Sequence, residues 1–235
     1  MKPICLSLLA LFVLASCSLD DPNANSASST QARVAQYRSF DVPATLPSNP
    51  SAVKVKVSLA RQMVYVMEGN KPLMVMPVSV GRTEDPTPTG NFRIYRKVKK
   101  YRANTHGYAY KGSRSAPTEV KWTKTKDMPT GGYKFIGTPL GYWCEFKEGY
   151  GFHIGWVKPY PCSSGCIRMH ENLAPKFFRL VKTGTPLNIS YRQPEDATYG
   201  LNVKHPLNAD SLPNYPATLR MSDRIFDYHK PPVYQ

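Results

Sequence analysis

Cys166 is the residue of this sequence best suited to act as a nucleophile, and His153, thirteen residues earlier, is the residue best suited to assist it. A thiol is mostly protonated near neutral pH, because its ordinary pKa is about 8.5. An imidazole within hydrogen-bond reach overcomes this in one of two ways: it takes the proton during attack, or it holds a thiolate–imidazolium pair in advance. Both routes are open to this pair. Gly165, directly before the cysteine, lets the backbone turn where other residues resist and bares the neighbouring amides and the thiol to a substrate. The same residues also fit a structural role, with Cys166 as a buried core thiol and His153 as a satisfied core histidine, which is the commoner fate of an arbitrary Cys and His.

Such a pair needs rigid elements around it. Tyr150, Phe152 and Ile154 alternate with Gly151, His153 and Gly155, the period of a strand that turns His153 away from its apolar face. Tyr142, Cys144 and Phe146 alternate with Trp143 and Glu145 in the strand before it, and Lys147-Glu148-Gly149 supplies the turn of a hairpin. A loop with Pro159 and Pro161 leads to Ser163-Ser164-Gly165-Cys166. Beyond it, Asn172 is predicted to cap a helix with Pro175 in its first turn and Leu173, Phe177, Leu180 and Val181 on one face. Gly184 ends that helix, and a last strand runs from Leu187 to Tyr191. Upstream, Val53 to Leu59, Met63 to Met67 and Leu73 to Val80 read as strands, the first by its alternation with Lys54, Lys56 and Ser58, with Phe92, Ile94 and Val98 continuing the sheet.

The run Ser163-x-Gly165-Cys166-Ile167-Arg168-Met169, with His153 on a Gly-Tyr-Gly-Phe-His strand, resembles the active-site signature of the L,D-transpeptidase catalytic domain family. The likeness extends to Pro86-Thr87-Pro88-Thr89-Gly90-Asn91-Phe92 and to Leu180 through Ile189, about residues 52 to 190. It implies a mainly β fold, a sandwich or barrel with one or two short helices, and a bacterial enzyme that cross-links peptidoglycan. It further implies Cys166 as nucleophile, His153 as general base and acid, and Ser164 and Gly165 orienting the imidazole and holding the oxyanion through their backbone. Ser163, Tyr150 and Arg168 would contact the stem peptide. No cofactor and no metal are implied, and a monomer is expected. The family usually carries histidine where Ser164 stands, and His-Gly where this chain reads His153-Ile154-Gly155. Water in place of the acceptor amine would give an L,D-carboxypeptidase or a hydrolase acting on the same bond. A lapsed, wall-binding descendant is the non-enzymatic alternative.

Residues 1–17 form a short leader: a lysine, an apolar run too brief to span a bilayer, and Leu14-Ala15-Ser16-Cys17, which resembles a bacterial lipobox. On that reading Cys17 carries lipid and anchors the exported chain to a membrane facing the periplasm, the outer membrane being compatible with Ser18. Residues 18–50, rich in Ser, Ala, Asn, Asp and Pro, are expected to be a flexible tether. The catalytic domain is assigned to residues 51–191, and residues 192–235 form a Pro- and Tyr-rich extension that either wraps the domain or moves freely.

A formal net charge of +15 over 235 residues favours polyanionic partners, among them anionic membranes and an acidic wall polymer. No nucleic-acid motif is present and the basic residues are spread along the chain, so nucleic acid is not the expected partner. Residues 96–126 interleave lysines and arginines with Tyr101, Tyr108, Tyr110 and Trp122, a pattern suited equally to a glycan-binding surface and to a solvated loop. Five cysteines leave Cys144, Cys162 and Cys166 once Cys5 departs with the leader and Cys17 is acylated. The expectation is that Cys144 and Cys162 bond to each other or stay reduced, leaving Cys166 free. A metal site from His153, Cys162, Cys166 and His170 is a weaker reading of the same residues, and His170 is expected to be an exposed residue at the helix entry.

Overall fold

The computed structural model describes residues 22–227 and Tyr234. In chain order the elements are α1 (Pro22–Ser39), β1 (Val53–Ser58), β2 (Met63–Glu68), β3 (Lys71–Ser79), β4 (Gly90–Arg93), β5 (Arg96–Val98), β6 (Arg102–Gly112), β7 (Pro117–Lys124), β8 (Lys134–Pro139), β9 (Trp143–Lys147), β10 (Tyr150–Ile154), β11 (Ile167–Met169), α2 (Leu173–Leu180), β12 (Pro186–Ser190) and α3 (Ala217–Met221). Nine strands form one sheet in the order β4-β12-β1-β2-β3-β11-β10-β9-β5, and β7-β6-β8 form a second. The architecture is mainly β, as the sequence implies.

The alternation in β1 buries Val53, Val55 and Val57 and leaves Lys54 exposed. β2 is buried on both faces. One face joins the main core, while Met63, Tyr65 and Met67 on the other are covered by Val75 and Val203. α2 lays Leu173, Phe177 and Leu180 against the same core, where Phe177 meets Phe152 with ring centroids 4.6 Å apart. Asn172 does not cap this helix with its side chain. Its amide instead donates to the carbonyls of Arg38 (2.7 Å) and Phe40 (2.9 Å).

That bond belongs to a clamp that corrects the expected tether. Residues 22–39 are helical, and the chain from Tyr37 to Thr45 is packed on the catalytic domain. Tyr37 is 2 % exposed, and its hydroxyl accepts the Val157 N–H. Its carbonyl accepts from Nε2 of His170 at 2.9 Å, while Nδ1 of His170 accepts the Asn172 N–H. Lys176, almost wholly buried, bonds both oxygens of Asp41 and the Val42 carbonyl. Tyr37, Val42 and Ala44 supply the apolar contacts that a polar, low-complexity composition conceals. His170 is therefore fully buried rather than exposed. Cys5 and Cys17 lie outside the described residues.

The C-terminal extension wraps the domain. Asp196 accepts from Ser58 and from the Tyr65 hydroxyl (2.7 Å) beneath β2. Farther on, α3 packs Met221 against Tyr108, Tyr110 and Ile136 of the small sheet. Arg102 of β6 and Arg114 in the β6–β7 turn donate to the carbonyls of Arg220, Met221 and Ser222. The basic, aromatic stretch 96–126 is thus an edge strand and a hairpin, its Tyr108 and Tyr110 buried and its Trp122 exposed.

Candidate active site

β10 and β11 run parallel, with Phe152 opposite Ile167 and His153 opposite Arg168. Strands joined in parallel require the chain to return to the same end of the sheet, and residues 155–166 make that return. They deliver Cys166 one step ahead of the ladder, beside Gly151. Side chains alternate in direction along a strand, so Cys166 and Arg168 share the face of Gly151 and His153. With a rise of ~3.3 Å per residue and a strand spacing of ~4.8 Å, the Cα atoms of Cys166 and His153 are diagonal neighbours roughly 8 Å apart. Both side chains line one cavity of about 600 Å³ between the main sheet and the small sheet. Asn104 and His106 of β6, Trp122 of β7 and Thr138 of β8 form its opposite wall. A second cavity, of about 320 Å³, meets the first along His153 and Arg168 and is completed by Tyr37, Tyr215 and Phe226.

The imidazole is oriented by its own strand. Nδ1 of His153 lies 2.7 Å from the Ile154 carbonyl. A carbonyl only accepts, so Nδ1 carries the proton and Nε2 is left with its lone pair. This corrects the expected role of the Ser164 carbonyl, which makes no bond to the ring. Ser164 is exposed at the cavity wall. The departure at Ile154 therefore sits at the residue whose backbone holds the base. Burial lowers the His153 pKa from 6.5 to about 4, and the nearby Arg168 adds to that lowering. Burial likewise raises the Cys166 pKa, against the opposing pull of the Gly151 backbone and of Arg168. Near neutral pH the resting pair is thiol and neutral imidazole, which selects proton transfer during attack over a preformed ion pair.

The thiol loop is braced from within. Cys166 Sγ donates to the Gly149 carbonyl at 3.6 Å. Ser163, 1 % exposed, accepts the Gly165 N–H at 3.1 Å and donates to the Cys166 carbonyl. Its hydroxyl is spent inside the loop, so the expected contact with a stem peptide is corrected to a structural one. The Gly165 amide is engaged too, and among the described residues the free amides beside the nucleophile are those of Ser164 and Cys166. Tyr150, half-buried, packs against the loop, its ring filling the place of a side chain on Gly165. Arg168 stays in the cavity wall, its guanidinium 3.5 Å from Cys162 Sγ, and among the described residues it has no carboxylate partner.

Two braces were not singled out from sequence. Thr87 receives the Gly81 N–H at 2.8 Å and donates to the Gly165 carbonyl at 2.9 Å, tying the Pro-Thr-Pro-Thr-Gly segment to the nucleophile loop. A side chain on Gly81 would lie 2.3 Å from the Asp85 carbonyl. Glu145 is the second, and its signal was an acidic residue set between the apolar Cys144 and Phe146. The three described cysteines are free. Cys144 sits in the core with its pKa pushed up to about 12 by burial, and Cys162 is half-buried. His170 has both ring nitrogens committed to the N-terminal clamp, which removes it from the metal reading.

The family model of the L,D-transpeptidase catalytic domain (YkuD) matches residues 52–189. No match is found among curated proteins. Solved structures similar to this chain include an L,D-transpeptidase from Stackebrandtia nassauensis, 19% identical over 70% of this chain and 68% of that one, with a TM-score of 0.44. Another is from Mycobacterium smegmatis, 17% identical over 59% of this chain and 58% of that one, with a TM-score of 0.45. A third is an L,D-transpeptidase solved in complex with imipenem, 20% identical over 59% of each chain, with a TM-score of 0.43. The chain thus spans little more than half the length of the second and third. With well over half of its residues matched from the first strand through β12, the chain belongs to the L,D-transpeptidase catalytic domain family.

Proposed function

We propose that this protein is an L,D-transpeptidase that joins peptidoglycan stem peptides, or attaches proteins to them, through a thioester on Cys166. The observation that carries the proposal is the parallel register of β10 and β11, which sets the Cys166 thiol and the His153 imidazole on one face in the wall of one cavity.

The donor is a tetrapeptide stem, and the bond attacked joins the L-centre of its diamino acid to the terminal D-alanine. Cys166 Sγ adds to that carbonyl while its proton passes to Nε2 of His153, the nitrogen left free by the bond to Ile154. The oxyanion is met by the Ser164 and Cys166 amides, donors fixed in place before charge develops. The carbonyl reforms, the C–N bond breaks, and His153 returns its proton to the leaving D-alanine amine. A stem amine then attacks the thioester, His153 takes that proton, and the thiol is released. The energy of the original peptide bond is conserved throughout, so no nucleotide is consumed. The second cavity along His153 and Arg168 supports amine transfer over hydrolysis, because it offers the acceptor a place next to the base.

The same reading places the protein outside the cytoplasm, lipid-anchored through Cys17 and facing the periplasm, most simply on the outer membrane. Metabolic labelling with palmitate tests this, since Cys17→Ser should abolish label and membrane association.

Imipenem, bound by the enzyme noted above, serves as an acylating probe. Intact-mass analysis after exposure should show one adduct on wild type and none on Cys166→Ala. Incubation with tetrapeptide muropeptides should then yield dimers. Shortened stems alone would assign the hydrolase, and the absence of both adduct and product would leave only a wall-binding module.

A further inference from the structure

Glu145 stands in the cavity wall with no part in the proton transfers described above, yet its contacts reach both reacting groups. It is 6 % exposed. Its Oε1 accepts the Gly149 N–H at 3.2 Å, and the Gly149 carbonyl is the acceptor of the Cys166 thiol. Its Oε2 accepts the indole N–H of Trp143 at 3.2 Å, with Arg96 at 3.3 Å on the same oxygen. The Trp143 indole lies against the His153 imidazole, with ring centroids 6.2 Å apart, and is held on by Tyr101 at 5.1 Å. Gly151 makes room for it, since a side chain there would lie 2.7 Å from the indole ring.

We infer that Glu145 is a positioning residue for acyl transfer, setting the thiol through Gly149 with one oxygen and the imidazole through Trp143 with the other. Nucleophile and base must be held within fractions of an ångström, and groups that touch neither substrate nor proton commonly do this. Here one carboxylate orients both members of the pair and bonds to neither. The inference rests on the proposed thioester chemistry only for its consequence in rate.

The carboxylate is kept ionised. Burial opposes this, and hydrogen bonds from Trp143, Gly149, Tyr95 and Arg96 outweigh it, leaving the pKa below the ordinary value. The titratable and charged groups facing the thiol across the cavity are Tyr95, Arg96, Tyr101, His106, Glu145, Glu148, His153 and Arg168. Of these, Glu145 raises the Cys166 pKa and Arg168 lowers it.

Glu145→Gln tests the inference, because an amide offers one acceptor oxygen where donors now bind two, Gly149 on one side and Trp143 with Arg96 on the other. Two readings are taken on the full chain: the rate of imipenem acylation, and the pH midpoint of Cys166 alkylation by iodoacetamide, resolved by peptide mapping. Acylation should slow by about tenfold or more while the alkylation midpoint moves to lower pH, a thiol easier to ionise yet slower to acylate. A passive structural role predicts loss of both together with a lowered melting temperature, and that result, or a wild-type acylation rate, overturns the inference. Trp143→Phe, which removes the indole donor and keeps both an aromatic ring and the Glu145 charge, is the second variant. It should slow acylation and leave the alkylation midpoint in place, and unchanged acylation there also overturns the inference. If wild type is not acylated at all, the transpeptidase proposal fails, whereas an unmoved alkylation midpoint in Glu145→Gln still counts against the link to the thiol.

Discussion

The ring of Tyr150 occupies the space that a side chain on Gly165 would need: a Cβ there would fall 2.6 Å from the ring, at a backbone φ of +98°. The turn that exposes Cys166 therefore depends on two separate facts, a backbone angle that L-residues resist and an aromatic prop beneath it. Gly165→Ala should cost roughly 1–3 kcal/mol from strain and overpacking together. Adding Tyr150→Ala should return the overpacking share and leave the strain. Urea unfolding of both single variants and the double variant measures this, and strictly additive losses would show that the two residues do not compete for the same space.

The neutral resting pair makes a kinetic prediction. Protonation of His153, whose pKa is lowered to about 4 by burial and by Arg168, should be what limits acylation on the acid side. The rate should hold nearly level from pH 7 down to about 5 and fall only beyond that. Burial raises the Cys166 pKa, so alkylation by iodoacetamide should have its midpoint above the ordinary thiol value of about 8.5. A midpoint below 7 would mean that a thiolate–imidazolium pair exists before substrate arrives, and the concerted transfer would have to be abandoned.

These features divide by how far the information travels along the chain. The strand at Val53 announces itself by alternation with lysines, whereas that at Met63 is a continuous apolar run because both of its faces are covered. The dyad was legible because a Gly-Cys turn and a His-bearing strand lie close in sequence and adjacent in the sheet. The clamp at Tyr37 was hidden, since its partners His170, Asn172 and Lys176 are more than 130 residues away and the composition around Tyr37 is that of a linker. The hairpin of β6 and β7 was obscured by lysines that point to solvent, while Tyr108 and Tyr110 find their core only when α3 arrives from the far end of the chain. Ser163 was a substrate contact by family resemblance, and its hydroxyl is spent instead on the shape of the loop.

Thr87 spans two segments 78 residues apart with a single hydroxyl. Thr87→Val keeps the volume and removes both bonds, leaving the Gly81 N–H and the Gly165 carbonyl unpaired in a buried setting. The expected loss is about 1–3 kcal/mol for each stranded group, with acylation slowed because Gly165 is no longer held. Thr87→Ser should recover most of both. Thermal unfolding beside imipenem acylation rates provides the check, and a Val variant as stable and as fast as wild type would relieve Thr87 of any bracing role.

Two buried histidines should make the fold acid-sensitive above the range where carboxylates titrate. His153 and His170 both have folded-state pKa values lowered by burial, so the unfolded chain binds more protons and stability must fall as pH drops below about 6.5. For His153, from 6.5 to about 4, the loss approaches roughly 3 kcal/mol at the acid end. His170 adds to it in the same direction, moderated by its bond to the Tyr37 carbonyl and by Glu171 and Asp41 nearby. Carboxylates held below their usual range, such as Glu145 and Asp210, weaken the fold only when the pH approaches their own unfolded values, near 4. The interval from pH 6.5 to 5 therefore isolates the histidines. Urea unfolding across it should show a steady decline in wild type and a shallower one in His153→Gln. Stability that stays level or rises on acidification in this interval would mean that neither ring has its pKa lowered in the folded protein, and the acid limit on acylation would then move up toward about pH 6.5.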